Sequence, residues 1–288
     1  MTIIDAHAHI FSHACPHVAP PALADGRFPC ERLLELMDSE GVAQAVLMQN
    51  PTIGTINEEV RRAISAYSDR FAGVIQTDPL DPGAPAIIKR FSSSWQCALK
   101  LEMSQEWGWS GVHPGIKLDG PEMDGLWGAV ADLSLVVIID PGSIGNSGYQ
   151  VEAIRTIAGA NPGISFVLEH LGYLEKTQWC DEQARARRQE LIQLALHRNV
   201  YLGISAVGML LEEPYPCKQS LALLEDAVRL VGASKLLWGT DVPYVLRRYT
   251  YRELLDVIRA GVSFLSKDET AAVLGGNASR LFFKRNSG

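Results

Sequence analysis

Short apolar runs rich in β-branched residues recur along the chain, and most are followed by a segment with apolar residues at helical spacing. The runs comprise residues 2–4, 44–49, 71–76, 98–103, 135–140, 164–170, 200–205 and 235–241. The helical segments lie near residues 30–41, 57–68, 83–92, 149–159, 181–197 and 217–231, and the chain after the eighth run is helical as well. Runs that are apolar at almost every position are typical of parallel strands that helices cover on both faces.

Eight strand–helix units in a chain of 288 residues predict an α/β fold of the (β/α)8 TIM-barrel class. We expect a single catalytic domain over residues 1–288, because no interdomain linker, internal repeat or low-complexity segment interrupts the alternation. A doubly wound open sheet is the alternative architecture. Such a sheet normally carries a glycine-rich phosphate turn after its first strand, and the segment DAHAHIF at residues 5–11 is not such a turn.

Two loops of this barrel are expected to border its active site. The longer one, residues 104–125, follows the fourth run and is rich in Gly, Trp and Pro, and the helical pattern resumes only near Glu122. Long βα loops build barrel active sites, although packing of this loop by its own tryptophans is the alternative. Trp107 and Trp109 could form an apolar lid over a hydrophobic substrate. The segment HACPH at residues 13–17 is expected to line the pocket, because it lacks a fourth ligand for a zinc ion of its own.

Composition narrows the classes of partner. The formal net charge is −7 and no run rich in Lys or Arg occurs, which argues against a nucleic-acid partner. No apolar stretch reaches the roughly 18 residues that a membrane-spanning helix needs. The five cysteines form no CxxC pair and no signal peptide is apparent, so we expect free thiols in a cytoplasmic protein. The expected partner is a small-molecule substrate, and a homodimer is left open.

Ionisable residues concentrate where the predicted strands end. The C-terminal ends of barrel strands carry the catalytic residues of TIM-barrel enzymes. Taken singly, Asp140 is compatible with a helix cap, His170 with a hydrogen-bonded core histidine and Asp241 with a turn before a proline. Together they favour a functional site at one end of the barrel. The complete set of polar strand ends is His7, His9, Glu102, Asp140, His170, Ser205 and Asp241.

The spacing of the first two histidines of this set favours a metal site. Alternate residues of a strand project on one side, so Asp5, His7 and His9 are expected to share a side if the strand extends that far. Two imidazoles so placed can bind one divalent ion, and a catalytic metal needs at least a third protein ligand and an open position for water. Asp241 is the best candidate for the third ligand.

Four segments together resemble the amidohydrolase superfamily. IIDAHAHIF (3–11) is similar to its HxH signature, FVLEHLG (166–172) to its strand-six histidine segment, LLWGTDVP (236–243) to its strand-eight segment and VLGGNASRLF (273–282) to its C-terminal segment. HxH alone is a weak signal, but the four segments occur in order along eight strand–helix units, from residue 2 to about residue 283. The resemblance points to the amidohydrolase-related (amidohydrolase 2) branch, whose members include lactonases, non-oxidative aromatic-acid decarboxylases and hydratases.

The resemblance implies roles for the matching positions. His7 and His9 are implied to be metal ligands, and Asp241 to be a ligand, a general base, or both. His170 is implied to bind or polarise the substrate, or to touch the metal. Metal-binding members usually carry a histidine at the end of the fifth strand, where this chain has Asp140, and a carboxylate there would favour harder, oxygen-liking metals. Glu102 lies where some relatives place a metal-bridging carboxylate.

The cofactor expected from this resemblance is one divalent metal ion, zinc or manganese. Some lactonases of the branch work without metal, so metal-free catalysis is the alternative. The expected reaction is hydrolysis of a lactone, ester or amide of a small organic acid. Metal-activated water would attack the carbonyl carbon, Asp241 would take its proton, and His170 would stabilise the oxyanion.

Candidate substrate-binding residues are Lys100, Trp107, Lys117 and Arg247. Lys100 and Glu102 could instead contact each other. The nearest alternative function is non-oxidative decarboxylation of an aromatic or unsaturated acid, with Lys117, Arg247 or Arg248 holding the carboxylate. A third interpretation is a barrel that binds a ligand without catalysis, which the missing strand-five histidine supports.

Overall fold

Eight parallel strands pair with one another in the order in which they occur along the chain. A computed structural model describes the protein at residues 1–93, 97–259 and 262–283. Its strands are β1 (Ile4–His9), β2 (Gln44–Met48), β3 (Phe71–Ile75), β4 (Cys97–Glu102), β5 (Val136–Asp140), β6 (Ser165–Leu168), β7 (Val200–Gly203) and β8 (Leu236–Leu237). This order confirms the predicted TIM barrel, because the strands of a doubly wound sheet do not follow chain order.

Helices surround the barrel, and a few short ones lie in its loops or at its end. They are α1 (Cys30–Glu40), α2 (Asn57–Ala66), α3 (Ala84–Ser92), α4 (Trp109–Val112), α5 (Asp124–Asp132), α6 (Val151–Ala160), α7 (Glu182–Gln193), α8 (Val207–Leu210), α9 (Lys218–Val231), α10 (Tyr251–Arg259), α11 (Lys267–Ala271) and α12 (Asn277–Phe282). At the start of α7, the carboxylate of Asp181 accepts hydrogen bonds from the N–H groups of Gln183 and Ala184, as an N-cap residue does. Among the residues that the structure describes, no helix is both long and apolar enough to cross a membrane.

The barrel closes between β1 and the segment that follows β8. The backbone N–H of His9 donates to the Val242 carbonyl at 2.8 Å, and the N–H of Asp241 donates to the His7 carbonyl at 2.7 Å. The closure places both histidines of β1 beside Asp241, although His9 and Asp241 are 232 positions apart in the sequence.

The interior of the barrel is filled by alternate residues of the strands. This apolar cluster comprises Ile4, Ala6, Val46, Met48, Ala72, Val74, Ala98, Ile138, Val167 and Leu237, and α12 packs Ala278 and Phe282 against it. The alternation continues along β4 beyond Ala98, so Lys100 and Glu102 also face the interior, and both are buried. Strand geometry thus directs a lysine and a glutamate toward the C-terminal end of the barrel.

The predicted bounds differ most at the two strands that close the barrel. β1 was expected over residues 2–4 but extends to His9, so both histidines belong to the strand. β8 was expected to reach Asp241 but ends at Leu237, and the backbone turns at Asp241, whose φ is +67°. Both differences place polar side chains where the barrel opens.

The insertion at residues 104–125 contains more regular structure than its composition predicts. α4 lies within it, and a 3₁₀ turn at Pro121–Met123 leads into α5. Trp109 is buried, whereas Trp107 is 60% exposed. The loop is therefore packed in part by its own aromatic residues, as the alternative interpretation proposed, but one of them is left free.

Candidate active site

Three side-chain atoms converge at the C-terminal end of the barrel. His9 Nε2 lies 3.0 Å from Asp241 Oδ1, His7 Nε2 lies 3.4 Å from the same oxygen, and the two Nε2 atoms are 3.3 Å apart. Ligand atoms that surround a zinc ion tetrahedrally at about 2.0–2.1 Å are separated by about 3.4 Å. The three atoms therefore have nearly the spacing of one face of such a tetrahedron, and the residues fit a divalent ion. We call them the His–His–Asp cluster.

A β-bulge in β1 turns the two histidines into the barrel. The pairing of β1 with β2 shifts between Asp5 and Ala8, and a bulge changes the side on which the following residues project. Contrary to the expectation that Asp5 shares a side with His7 and His9, its carboxylate accepts a hydrogen bond from the Tyr251 hydroxyl at 2.9 Å. Asp5 thus ties β1 to α10 and stands outside the cluster.

Glu169 supports the imidazole of His7. Glu169 Oε2 lies 3.0 Å from His7 Nδ1, within ion-pair distance but without the alignment of a linear hydrogen bond, and it accepts a hydrogen bond from Ser205 Oγ at 3.1 Å. Burial acts to raise the pKa of Glu169, but the His7 ring holds that pKa below its ordinary value, so the carboxylate is ionised. A carboxylate beside one imidazole nitrogen orients the other nitrogen toward a metal.

A second group, which we call the ion-pair cluster, consists of Lys100, Glu102, Asp140 and His170. His170 Nε2 lies 2.9 Å from Asp140 Oδ2. Lys100 Nζ lies 3.7 Å from Glu102 Oε2 and 4.0 Å from Asp140 Oδ2, which is too far for hydrogen bonds. Glu102 and Asp140 were expected to be metal ligands. The structure places them with these cations, and the group that could hold a metal among the described residues is the His–His–Asp cluster.

Charges in the ion-pair cluster perturb one another strongly. Burial opposes a charged imidazole, but the Asp140 carboxylate raises the pKa of His170 to about 10. Against the effect of burial, His170 and Lys100 hold the pKa of Asp140 well below its usual range. Burial and the neighbouring Asp140 carboxylate raise the pKa of Glu102 to about 7. At neutral pH, His170 is therefore an imidazolium and Asp140 a carboxylate, while Glu102 is close to the midpoint of its titration.

Both ring nitrogens of His170 are engaged. Nδ1 lies 3.2 Å from the Ser205 carbonyl oxygen, and Nε2 faces Asp140, so an imidazolium donates both of its protons to the protein. His170 was expected to stabilise an oxyanion. In the structure it has no free N–H group for that purpose, and its contribution would be the positive charge of the ring. Lys100 is better placed to donate, because both neighbouring carboxylates lie beyond hydrogen-bond distance of its Nζ.

The floor of the site carries more negative than positive charge. Four buried carboxyl groups face two buried cationic groups. The carboxyl groups are Glu102, Asp140, Glu169 and Asp241, of which Glu102 is about half ionised at neutral pH, and the cations are Lys100 and His170. A buried charge without compensation is costly. A divalent cation at the His–His–Asp cluster would offset this excess, which is a second respect in which the residues fit a metal.

The backbone that carries His170 is left-handed over four consecutive residues. The φ values of His170, Leu171, Gly172 and Tyr173 are 56°, 51°, 81° and 55°. Each residue other than glycine loses about 1–2 kcal/mol in this conformation, so other contacts must hold the turn. Arg188 Nε donates to the carbonyl of the second residue at 2.9 Å, and the Tyr149 hydroxyl donates to the carbonyl of the third at 3.0 Å. Strained backbone of this kind concentrates at functional sites.

A cavity of about 220 Å³ contains both clusters in its lining. Of the four residues expected to bind substrate, Lys100 and Trp107 line the cavity, whereas Lys117 and Arg247 do not. Lys117 is exposed on the insertion, and the Arg247 guanidinium donates to the His17 carbonyl at 2.6 Å. His17, from the HACPH segment, lines the cavity as well.

Glu169, Tyr173 and Tyr244 are among the site residues that sequence reasoning missed. Glu169 contacts His7, and the two tyrosines line the cavity. The sequence signal for Glu169 was its position next to His170, in the segment LEH at the end of the sixth apolar run. Strand alternation places two adjacent residues on opposite faces, whereas the left-handed turn at His170 brings both members of the pair to the site.

A parallel eight-stranded barrel with these residues at its C-terminal end defines the chain as a TIM-barrel protein with a candidate metal-dependent active site. The chain belongs to the amidohydrolase family, because the model of the amidohydrolase 2 family matches residues 4–284. This match confirms the family and branch that the four sequence segments indicated, and it places the protein in a family of enzymes. No curated protein sequence matches the chain.

Solved structures of low sequence identity share the fold over the whole chain. An amidohydrolase from Burkholderia multivorans with bound zinc is 18% identical, with a TM-score of 0.77 over 99% of this chain and 100% of that one. A probable 2-pyrone-4,6-dicarboxylic acid hydrolase from Acinetobacter baumannii with bound citric acid is 17% identical, with a TM-score of 0.73 over 99% and 100% of the two chains. A 5-carboxyvanillate decarboxylase from Sphingomonas paucimobilis is 18% identical, with a TM-score of 0.66 over 99% of each chain.

Proposed function

We propose that the protein is a divalent-metal-dependent hydrolase that acts on a lactone, ester or amide of a small organic acid. One observation carries the proposal, namely the convergence of His7 Nε2, His9 Nε2 and Asp241 Oδ1 on the lining of a cavity. The excess of buried carboxylates supports a cation at that point. The zinc in the similar Burkholderia multivorans structure makes zinc the first metal to test, with manganese as the alternative.

The His–His–Asp cluster would hold the ion. A divalent ion in such a site polarises a carbonyl group and activates water at neutral pH. Asp241 turns Oδ1 toward the imidazoles, and no described residue hydrogen-bonds to its Oδ2. Despite burial, the hydrogen bond to His9 lowers the pKa of Asp241, so its carboxylate is ionised and Oδ2 can accept a proton from the attacking water.

Lys100 would stabilise the negative charge that develops on the substrate oxygen. Burial opposes its charge, but Glu102 and Asp140 raise the pKa of Lys100, so it is an ammonium group. Its N–H groups face the cavity without a carboxylate in hydrogen-bond distance. A donor already held in a buried site stabilises developing charge more than the same donor does in water. His170 adds positive charge from the same side of the cavity.

The proposal is tested by metal analysis together with a panel of lactones, esters and amides. We expect one divalent ion per chain after metal loading, loss of hydrolysis with a chelator and recovery with zinc or manganese. His9→Ala should lose both the ion and the activity. The matched control is His197→Ala, at a histidine outside the cavity lining that precedes β7. Retention of metal and turnover by His9→Ala would show that the proposal is wrong.

Decarboxylation of an aromatic or unsaturated acid is the second candidate. The free N–H groups of Lys100 favour it, since a substrate carboxylate needs a cationic partner. Against it, Lys117 and Arg247 lie outside the cavity lining, and Arg248 donates to the Glu212 carbonyl at 3.0 Å. The same preparations are assayed for carbon dioxide release from hydroxybenzoates and 5-carboxyvanillate. Release of carbon dioxide, with no member of the panel hydrolysed, would replace the hydrolase proposal by this one.

A further inference from the structure

The floor and the mouth of the cavity have different linings. The floor carries the His–His–Asp and ion-pair clusters. The loops at the mouth contribute uncharged polar side chains together with a larger apolar set, which is Val18, Trp107, Met209, Leu210 and Tyr244; the polar set includes His17, Asn50 and Thr52. Trp107 is 60% exposed and Tyr244 is 38% exposed, so both mark the open side.

Exposed large apolar side chains are few among the described residues, and two of them, Trp107 and Tyr244, line this cavity. Within the described ranges, the others are Met1, Val112, Leu196 and Tyr215, and none of these four lines the cavity. Exposed apolar surface next to a polar cleft marks a binding site more often than a packing defect.

The turn that carries Trp107 is held in place although its indole is not packed. The Gly108 N–H donates to the Ser104 carbonyl at 3.1 Å. A Cβ atom at Gly108 would lie 2.3 Å from the Glu102 carbonyl oxygen, so the turn lies directly against the end of β4. On the preceding side, the Asn146 amide donates to Glu106 Oε1 at 2.8 Å. The indole is therefore presented on a fixed backbone, which reduces the entropy that binding would cost.

Tyr244 is held in a comparable way by an arginine of its own loop. The Arg247 guanidinium lies over the Tyr244 ring, 4.9 Å from its centroid, and donates to the backbone carbonyls of His17 and Ala19. Arg247 thus joins the loop after β8 to the loop after β1. This gives Arg247 a structural role beside the cavity instead of the direct substrate contact that was expected.

We propose that Trp107 and Tyr244 form an aromatic subsite at the mouth of the cavity, which binds a flat apolar group of the substrate. Aromatic side chains favour such groups through stacked and edge-to-face contacts in addition to burial of apolar area. The substrate class is therefore a lactone whose ring is fused to an aromatic ring, or an ester whose reacting carbonyl is attached to one. The carbonyl would reach the charged floor while the ring stays at the mouth. The reaction named here rests on the proposed function, whereas binding of the ring does not.

Kinetics with two lactones that share the reacting ring test the substrate class. Isochroman-3-one is δ-valerolactone fused to a benzene ring through two carbons that bear neither the carbonyl oxygen nor the ring oxygen, so both lactones release a primary alcohol and they differ in the flat apolar group. We expect the wild-type enzyme to prefer isochroman-3-one in kcat/KM, and Trp107→Ala or Tyr244→Ala to reduce that preference by about tenfold, mainly through KM. Leu196→Ala, which removes an exposed apolar side chain outside the cavity, should leave the preference unchanged. Equal losses for both lactones, or no loss, would overturn the subsite.

Binding of ketones that cannot be hydrolysed tests the subsite without the reaction. The probes are α-tetralone and cyclohexanone, and the signal is the indole N–H resonance that Trp107→Phe removes from the NMR spectrum. We expect α-tetralone to shift this resonance saturably and to bind at least about tenfold more tightly than cyclohexanone. Indistinguishable affinities, or a Trp107 resonance that does not move, would overturn the subsite. If no member of the panel of lactones, esters and amides is hydrolysed but α-tetralone binds as expected, the proposed function fails while the subsite stands.

Discussion

Two buried polar clusters lie side by side at the same end of the barrel, and they are built in opposite ways. In the ion-pair cluster, the charge of each cation faces a carboxylate, as in the 2.9 Å contact between His170 and Asp140. In the His–His–Asp cluster, two imidazole nitrogens and a carboxylate oxygen face one another within 3.4 Å, and no lysine or arginine of the described residues joins them. The first cluster contains its own opposite charges, whereas the second has the spacing of a ligand set.

This difference shows why the identity of a strand-end residue is a poor guide to its task. Asp140 ends β5 and Asp241 follows β8, and both are buried aspartates beside a histidine. Asp140 holds a protonated imidazole in place, whereas Asp241 faces the Nε2 atoms of both histidines of the HxH pair. The side chains around each carboxylate, and not its position on the barrel, determine whether it pairs with a protonated imidazole or is suited to binding a metal ion.

The largest expected effect separates these two aspartates directly. Asp241→Asn removes a ligand and the proposed base, so metal affinity should fall by more than the roughly 10–100-fold typical of outer-shell changes, and hydrolysis should be lost. Asp140→Asn is the matched variant, and it should keep the metal while kcat falls. Elemental analysis after dialysis against a weak chelator, together with steady-state kinetics, measures both. Equal loss of metal in the two variants would contradict the division into two clusters.

Lys100→Met should give the next largest effect, on kcat alone. Removing a buried donor to a developing oxyanion typically lowers kcat by about 10²–10³-fold, and the metal should remain bound because Lys100 is no part of the His–His–Asp cluster. Lys117→Met is the control, since Lys117 is exposed and lies outside the cavity lining. Thermal unfolding of each variant identifies any general loss of stability. A lower metal content in Lys100→Met would show that the clusters are not independent.

Glu169→Gln should weaken the metal site without removing a ligand. Glu169 faces His7 Nδ1, and loss of its charge should reduce the preference of His7 for the tautomer whose Nε2 accepts a metal. We expect metal affinity to fall by about 10–100-fold and activity to recover when the metal concentration is raised. An Asp241→Asn enzyme should show no such recovery. Activity that stays low at saturating metal would mean that Glu169 acts on the substrate and not through His7.

Local sequence patterns predicted the barrel, the family and the polar residues at the C-terminal ends of the strands, because each of these depends on residues that are close together in the sequence. Apolar periodicity identifies the strands, and the C-terminal ends of the strands locate His7, His9, His170 and Asp241. The pairing of these residues could not be predicted in the same way. It depends on a bulge in β1 and on left-handed backbone at His170 and Asp241, and non-local packing stabilises both features.

Long flexible side chains were the least predictable. Lys117 and Arg247 were expected at the substrate because they lie in or near the active-site loops in the sequence. A position in a loop does not determine the direction of a side chain with four rotatable bonds. Arg247 is directed by backbone carbonyls of the loop after β1. Lys100 was an exception, because a residue inside a strand has only two directions and Ala98 beside it already faces the interior.

The smallest expected effect is a pH dependence of stability that belongs to the ion-pair cluster. The pKa of His170 is raised to about 10 in the folded protein, against about 6.5 for an unperturbed histidine. Its stabilising contribution is therefore fully present below pH 6.5 and is lost as the pH rises toward 10. Between pH 7 and pH 8 the loss is at most about 1.4 kcal/mol for one proton.

Denaturant unfolding of metal-free protein at these two pH values measures the loss. His170→Gln should remove most of the difference, because the variant lacks the imidazole that keeps its proton in the folded protein and loses it in the unfolded chain. Glu102, whose pKa is raised to about 7, adds a smaller loss of the same sign over this interval. The pKa of Asp140 is lowered instead, so the contribution of Asp140 is present above about pH 4 and is lost on further acidification, outside this range. An unchanged slope between pH 7 and pH 8 in His170→Gln would show that the imidazolium of the ion-pair cluster is not the group responsible.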